Sequence, residues 1–317
     1  MSSLPDLLPA PLAGVIPILV TPFHPNGRVD LDAMDRQVEF LVGAGVRWAG
    51  FGFGSEVPRL SDAELDTLVR RTVEAAAGRL HVFGNIDLRS RAGGIEQSRR
   101  VTATGAAAAL ARPGLPGGVE PAALVDTFAA VAAAGLPIIV QDAPQNTGVE
   151  LSPATLARLL TDVPGVAAVK IEPAGAAAKM EQIVEALGGE EGVIIGGAGG
   201  SGYLHELARG ARGTMPGPAH PELFAAVTRL HHEGRRPEAH RLMSRVLPLL
   251  ELGRRDMDSF LVTQKHVLVR RGVLANAELA RPHRPVDRRL TAEVDELLDA
   301  LDLLALWDHC RELAAGA

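Results

Sequence analysis

The sequence predicts an α/β protein, a (β/α)8 TIM barrel followed by a C-terminal helical extension. Short β-prone apolar runs alternate with amphipathic helical stretches over about 215 residues, which is typical of repeated βα units. Right-handed crossovers between parallel strands close eight such units into a barrel, and their similar size favours this over a doubly wound open sheet. The strand signals stop after about Pro218. We therefore expect residues 1–218 to form the barrel with a short lead-in, and residues 219–317 to form the extension.

The predicted strands are short apolar runs bounded by glycine, proline or polar residues. Their bounds are Gly14–Val20, Arg47–Phe53, Leu80–Ile86, Ala106–Ala111, Pro137–Gln141, Val166–Ile171, Gly192–Ile195 and Gly213–Met215. Between strands, helical stretches include Asp32–Gly43, Asp62–Ala77, Pro121–Ala134 and Ser152–Leu160. In the extension, helices are predicted at His220–Gly234, Pro237–Gly253, Asp256–Arg271 and Thr291–Ala315. The hydroxyl of Ser61 and the early Pro153 support two of the helix starts.

Composition excludes several classes of protein. Of the 317 residues, 47% are hydrophobic and 22% are charged, which describes a globular chain with an ample core. The net charge of -6 gives no electrostatic reason to expect a nucleic acid or an anionic membrane as a partner. No apolar stretch approaches the roughly 18 residues that span a bilayer. The single cysteine, Cys310, fits a reducing cytoplasm, and the scattered histidines form no metal-binding pattern.

Lys170 is the residue most indicative of chemistry. Among 32 Lys+Arg residues only three are lysines, and Lys170 lies in the apolar strand candidate Val166–Ile171. A desolvated lysine, unlike an arginine, can lose its proton and attack a carbonyl carbon to form a Schiff base. The alternative is an amine that leaves the strand end to pair with a carboxylate such as Glu172. Lys179 and Lys265 fall in predicted helices, where charge that faces solvent is expected.

The carboxyl ends of the strands are where a barrel of this type carries its catalytic groups. Period-two alternation places Ala168 and Lys170 on one face, with Glu172 on that face if the strand continues. The small Ala168 leaves room for a small substrate, and Glu172 could be a general base, a charge partner or a loop carboxylate.

Other residues near strand ends are candidates for substrate binding. Glycine-rich turns can present backbone N–H groups to a carboxylate, although taken alone the Gly54-Ser55 pair is better explained as a tight strand-to-helix turn. An arginine can bind a substrate carboxylate or form a surface ion pair. The glycine run after strand seven formally matches GxGxxG, but its position favours a loop that lines the pocket over a dinucleotide site. The candidates are Gly54, Ser55, Arg112, Gly196, Gly197 and Met215.

Several of these motifs together resemble the dihydrodipicolinate synthase/N-acetylneuraminate lyase family. The similarity runs from about Gly14 to about Leu304 and therefore covers nearly the whole chain. The residues that carry it are Thr21-Pro22-Phe23, Asn26-Gly27-Arg28-Val29-Asp30, Gly54-Ser55-Glu56 with Leu60, Pro144 with Thr147-Gly148, Lys170, and the glycine loop followed by Gly210-Ala211-Arg212-Gly213.

The resemblance implies a (β/α)8 barrel that assembles as a tetramer of paired dimers. It implies that Lys170 condenses with the keto group of a 2-oxo acid such as pyruvate, whose carboxylate Gly54 and Ser55 would hold. It also implies that neither a metal nor an organic cofactor is required. The expected partner is thus a small 2-oxo acid, and the expected assembly is a homo-oligomer, a tetramer or a dimer.

Four departures from the family pattern argue against true dihydrodipicolinate synthase activity. Gln141 stands where relatives carry a tyrosine that relays protons, and Phe53-Gly54 replace paired hydroxyl residues. Gly114-Leu115 stand where a second tyrosine is expected, and Asn146 replaces an arginine that binds the aldehyde substrate's carboxylate. Loss of a general acid or base costs roughly 10²–10⁴-fold in rate, so Schiff-base formation could persist with Glu172, Asp142 or water as substitute.

The sequence therefore predicts a Schiff-base lyase or aldolase that acts on pyruvate or a related 2-oxo acid. The predicted catalytic positions are Lys170, Gln141 and Glu172. Two alternatives remain open: a 2-oxo sugar-acid dehydratase or hydratase that uses the same imine, and a catalytically silent relative that binds a metabolite.

Overall fold

The computed structural model describes residues 7–114 and 120–315, and Leu115 of the sequence prediction lies outside them. Eight parallel strands form one sheet in the order β1-β8-β7-β6-β5-β4-β3-β2. The strands are β1 (Gly14–Val15), β2 (Trp48–Gly50), β3 (His81–Leu88), β4 (Ala108–Pro113), β5 (Ile138–Asp142), β6 (Val166–Ile171), β7 (Ile194–Gly196) and β8 (Gly213–Thr214).

The two end strands of this order meet through backbone hydrogen bonds. Ile18, just after β1, forms a parallel bridge with Gly50 at the end of β2. The N–H of Leu19 donates to the carbonyl of Gly50 at 2.8 Å, and the N–H of Gly50 donates to the carbonyl of Pro17 at 3.1 Å. These bonds close the sheet, so the predicted barrel is confirmed.

Helices separate the strands and continue after β8. Those between strands are α1 (Leu31–Gly43), α2 (Asp62–Ala76), α3 (Arg91–Thr102), α4 (Pro121–Ala133), α5 (Pro144–Thr147), α6 (Pro153–Asp162), α7 (Ala176–Leu187) and α8 (Tyr203–Leu207). Those of the extension are α9 (Pro221–His232), α10 (Arg236–Leu252), α11 (Met257–Arg270), α12 (Leu290–Ala300) and α13 (Leu303–Ala315). No helix in the described ranges is long and apolar enough to cross a membrane.

Alternate residues of β6 enter two different cores. Ala168 belongs to a buried cluster inside the barrel with Ile139 and Ile195, whereas Val169 packs in the layer between strands and helices. Because side chains alternate along a strand, Lys170 faces the barrel interior with Ala168. This placement agrees with the sequence prediction for the lysine strand.

The sequence prediction was wrong at several element ends, among them the end of strand one and the last helix. Strand one was expected to run to Val20 but ends at Val15, because Pro17 has no N–H to donate to the strand ladder. The helix expected at Thr291–Ala315 is two helices, since Asp302 between them takes a left-handed φ of 47°. Aspartate tolerates that conformation better than most side chains, which allows the chain to turn there.

The other two lysines are buried, contrary to the expectation of solvent-facing charge. The amine of Lys179 lies 2.8 Å from Oδ2 of Asp142 and 3.1 Å from Oε1 of Glu150. The amine of Lys265 lies 2.5 Å from Oε1 of the equally buried Glu56. Both lysines lie in helices as predicted, but each reaches inward to a carboxylate that helical periodicity does not reveal.

Candidate active site

A cavity of about 610 Å³ opens at the carboxyl ends of the strands. Lys170 and Glu172 line it from the end of β6, and Gln141 lines it from β5. The extension closes one side with Phe260 and Gln264 of α11. A partly apolar cavity of this size with a few convergent polar groups is suited to a small molecule.

Lys170 and Glu172 form an ion pair at the cavity wall. The Lys170 amine lies 3.0 Å from Oε1 of Glu172, and only 3% of the lysine is exposed. The amine therefore faces the cavity from an apolar strand, with a carboxylate beside it that can accept or return a proton.

Two further groups fix the Glu172 carboxylate. Its Oε1 accepts the backbone N–H of Ala198 at 2.9 Å, and its Oε2 accepts the side-chain amide of Gln141 at 2.5 Å. Burial alone would raise the pKa of Glu172, but the positive charge of Lys170 and these hydrogen bonds hold the pKa below its usual value. Glu172 is thus an ionised carboxylate, the form that acts as a general base.

Gly197 provides the space that this carboxylate occupies. A Cβ at that position would collide with the carboxyl group of Glu172. The backbone φ of Gly197 is -152°, outside the left-handed region that favours glycine, so contact with Glu172 is the reason for a glycine here.

Gly197→Ala is therefore expected to displace Glu172 from Lys170 and to lower turnover by roughly 10²-fold, the lower end of the range for a lost acid–base group. Steady-state kinetics would measure the loss, and circular dichroism would verify the fold. Gly148→Ala makes a contrasting control, because no atom lies within 4 Å of a Cβ there, although its φ of 72° will cost some stability. Turnover unchanged in Gly197→Ala would mean that Glu172 is not held by this contact.

Gln141, which stands where the resemblance implies a tyrosine, contacts Glu172 directly. Its Nε2 donates to Glu172, whereas its buried Oε1 has no hydrogen-bond partner in the described structure. The amide carries no titratable proton, so its contribution at this site is to orient the carboxylate.

The predicted substrate-binding residues divide into two groups. Gly54 and Met215 line the cavity. Ser55 does not: its hydroxyl donates to the carbonyl of Leu19 at 2.5 Å, and its N–H donates to the carbonyl of Gly52 at 2.9 Å. Both donors of Ser55 are thus used by backbone carbonyls, one in the turn after β2 and one in the segment after β1.

Arg112, Gly196 at the end of β7 and the following Gly197 are also absent from the cavity lining. The guanidinium of Arg112 stacks on the ring of Phe53 at 4.0 Å from its centroid and donates to Asn85 at 3.0 Å. Gly196 and Gly197 are absent from the lining, and each instead leaves room for a carboxyl group. Substrate binding by these residues remains a prediction.

Glu206 of α8 is a cavity residue that the sequence reasoning missed. It is 3% exposed, and its Oε2 has no hydrogen-bond partner in the described structure. Burial, and then the negative charge of Glu172, raise the pKa of Glu206 to about 8. The available signal was helical spacing, which places Glu206 three residues after the buried Tyr203 and beside the buried Leu207.

No group of three or more His, Cys, Asp or Glu side chains within residues 7–114 and 120–315 could hold a metal ion. The groups that the protein itself places at this site include an amine, an ionised carboxylate and a second, buried carboxyl group.

Known proteins match the chain over nearly its whole length. The dihydrodipicolinate synthetase family model matches residues 11–301. An L-2-keto-3-deoxyarabonate dehydratase of Azospirillum brasilense is 32% identical over 313 residues, covering 93% of this chain and 97% of the relative. A 4-hydroxy-tetrahydrodipicolinate synthase of Xanthomonas axonopodis pv. citri is 32% identical over 309 residues, covering 93% of this chain and 99% of the relative. The crystal structure of a dihydrodipicolinate synthase of Rhodopseudomonas palustris superposes with a TM-score of 0.83 at 26% identity, covering 90% of this chain and 97% of that one.

Proposed function

Because the chain belongs to the dihydrodipicolinate synthetase family of lyases, we propose that Lys170 forms an imine with the keto carbon of a 2-oxo acid. The observation that carries the proposal is the Lys170 amine in the cavity wall, 3.0 Å from the Glu172 carboxylate. The amine nitrogen adds to the keto carbon, and the resulting carbinolamine loses water to give the imine.

Glu172 is the base of the next step. It removes a proton from C3 of the imine, and the electron pair of that C–H bond forms the enamine double bond as the imine π electrons move to nitrogen. The carboxylate contacts the amine that becomes the imine nitrogen, so it is within reach of a carbon two bonds away. This role replaces the tyrosine relay that Gln141 cannot supply.

Elimination of water from a 2-oxo-3-deoxy sugar acid is the reaction that this arrangement suits best. In such a substrate the enamine lies next to a hydroxyl group on C4, which leaves without any second substrate. The Azospirillum brasilense relative is named for a dehydration of this type. Asn146 in place of the carboxylate-binding arginine also removes a group that the synthase reaction is expected to need. Aldol chemistry on pyruvate is the competing outcome.

We propose further that the enzyme works as a homo-oligomer in the cytoplasm. Cys310 is a buried free thiol, which agrees with a reducing compartment. Sedimentation at several protein concentrations would determine the assembly.

Borohydride reduction tests the imine directly. The protein is incubated with pyruvate or with L-2-keto-3-deoxyarabonate, reduced, digested and analysed by mass spectrometry. The expected result is an adduct on the peptide that contains Lys170, and product analysis then separates dehydration from aldol cleavage. Absence of an adduct with every 2-oxo acid tried would overturn the proposal.

Glu172→Gln is expected to lower turnover by roughly 10²–10⁴-fold, because the amide cannot accept the C3 proton. Exchange of the methyl protons of pyruvate in D2O, followed by NMR, measures this step without any knowledge of the natural substrate. Glu181→Gln is a suitable control, since Glu181 is 61% exposed and, among the described residues, pairs with Arg209 alone at the surface. Equal exchange rates in both variants would show that Glu172 does not take part in the proton transfer.

A further inference from the structure

Glu206 is a second carboxyl group in the cavity, and the steps above do not use it. It lies in the short helix α8, after the glycine loop that follows β7. It is 3% exposed and lines the same cavity as Lys170 and Glu172. Its Oε2 is fully buried without a hydrogen-bond partner in the described structure. A buried carboxyl oxygen without a hydrogen-bond partner destabilises the folded protein, so its presence here points to a function.

Two glycines make the space that the Glu206 carboxyl group occupies. A Cβ at Gly196 would collide with its Oε2, and a Cβ at Gly202 would lie 3.0 Å from its Oε1. Gly197, between them in sequence, makes the corresponding space for Glu172. The chain after β7 is therefore shaped around two carboxyl groups that share one cavity.

We propose that Glu206 is the proton donor that complements the base Glu172 and protonates the hydroxyl group that leaves the substrate. This inference rests on the proposed function, because it assigns a role within the same imine chemistry. In this role Glu206 contacts the substrate directly and acts as a catalytic residue.

The proton balance of the elimination is complete with these two groups. Glu172 takes the proton from C3, which gives the enamine. Glu206 gives its proton to the C4 hydroxyl group. The nitrogen lone pair re-forms the C2–N double bond, the enamine π pair becomes the C3–C4 double bond, and the C4–O bond breaks with its electron pair on the departing water. Hydrolysis of the conjugated imine frees Lys170. The proton on Glu172 then passes to Glu206, directly or through water, and both groups return to their starting states.

The electrostatics of the cavity agree with these opposite roles. The charged groups that line it with Glu206 are Lys170 and Glu172 at the end of β6, and Arg254 and Asp256 between α10 and α11. Burial and the charge of Glu172 raise the pKa of Glu206 to about 8, so that it holds a proton at neutral pH. Burial alone would raise the pKa of Glu172, but the positive charge of Lys170 lowers it. Two carboxyl groups whose environments separate their pKa values form an acid and a base.

Glu206→Gln is the test, because it keeps the shape of the side chain and removes the transferable proton. We expect the yield of borohydride-trapped pyruvate on Lys170, and the exchange rate of the pyruvate methyl protons, to stay within about threefold of the values for the unsubstituted enzyme. Dehydration of L-2-keto-3-deoxyarabonate is expected to fall by roughly 10²–10⁴-fold. The unsubstituted enzyme should lose activity above about pH 8 as Glu206 ionises, and this alkaline loss should disappear from the residual activity of Glu206→Gln. Glu206→Asp should restore part of the rate.

The outcomes separate this inference from the proposed function. Full dehydration activity in Glu206→Gln, or an unchanged alkaline loss, would overturn the role of Glu206. Loss of trapping and exchange together with dehydration would also overturn it, because the residue would then support the site as a whole. No pyruvate adduct on the unsubstituted enzyme would instead overturn the proposed function. Thermal unfolding of each variant, with Glu181→Gln as control, shows whether a change of fold explains the loss.

Discussion

Lys170→Arg is expected to abolish the borohydride-trapped adduct and to lower turnover by roughly 10⁴-fold or more. Arginine keeps a positive charge next to Glu172, so the ion pair at the cavity wall can persist. Its guanidinium stays protonated and cannot form an imine. The substitution therefore separates the covalent role of the amine from its electrostatic role. Intact-protein mass spectrometry after reduction, together with steady-state kinetics, measures both effects.

Lys179→Arg is the matched control for that experiment. Lys179 is also buried and paired, with its amine 2.8 Å from Asp142, but it does not line the cavity. The longer arginine should lower thermal stability while the adduct on Lys170 still forms. If both variants lost the adduct, packing around β5 and β6 would explain the effect, and the covalent role would lose its support.

The fold followed from sequence because barrel units repeat one pattern. Each strand is a short apolar run between turn residues, and each following helix buries one face, so periodicity together with run length and flanking residues separates them. The errors occurred where the backbone departs from that pattern. Pro17 shortens β1, a 3-10 turn at Phe53–Ser55 ends the β2 region before Phe53, and Asp302 splits the last helix.

The three lysines show that the sequence could not predict which buried amine lies beside a cavity. Period-two alternation correctly placed Lys170 with Ala168 on the inner face of β6. The rarity of lysine, however, does not by itself mark chemistry, because Lys179 and Lys265 are equally buried in ion pairs. What distinguishes Lys170 is the cavity beside its amine, which forms only when β6, the glycine loop and α11 come together.

The same limit applies to the acid of the proposed pair. Glu206 lies 34 residues after Glu172 by their sequence numbers, 206 and 172, and only folding of the loop after β7 places both in one cavity. Conversely, Ser55 and Arg112 stand at strand ends as predicted, but their donors are used by neighbouring backbone and side-chain oxygens. Position at a strand end indicates which residues can reach a barrel site, and hydrogen-bond partners decide which remain available to a ligand.

Lys265→Met is expected to have the largest effect on stability, about 3–5 kcal/mol of unfolding free energy, because it removes the nearer counter-ion of the buried Glu56 carboxylate and leaves only the guanidinium of Arg59, 3.5 Å away. Lys265 and Glu56 are both 0% exposed at their side chains, and the amine also donates to the carbonyl of Glu278 at 2.6 Å. Oε2 of Glu56 accepts the N–H of Ala280 at 2.7 Å. Urea denaturation would measure the loss, provided that the unfolding is reversible.

Lys265→Met combined with Glu56→Gln should recover most of that loss, because the double variant buries no unpaired charge. A surface pair provides the contrast: Arg270→Ala breaks the exposed contact with Asp295 and should cost less than about 1 kcal/mol. A double variant as unstable as the single one would show that packing of the lysine stem, and not its charge, holds this contact.

The buried pair also connects stability to the site. Glu56 directly follows the turn that brings Gly54 to the cavity, and its backbone has a left-handed φ of 59°. Lys265 belongs to α11, the helix that closes the cavity with Phe260. Their ion pair therefore joins the loop after β2 to the extension across the mouth of the barrel. Loosening it should raise KM for the 2-oxo acid more than it lowers kcat, since Lys170 and Glu172 on β6 are untouched. A fall in kcat at unchanged KM would mean that this contact acts on the chemistry and not on the shape of the cavity.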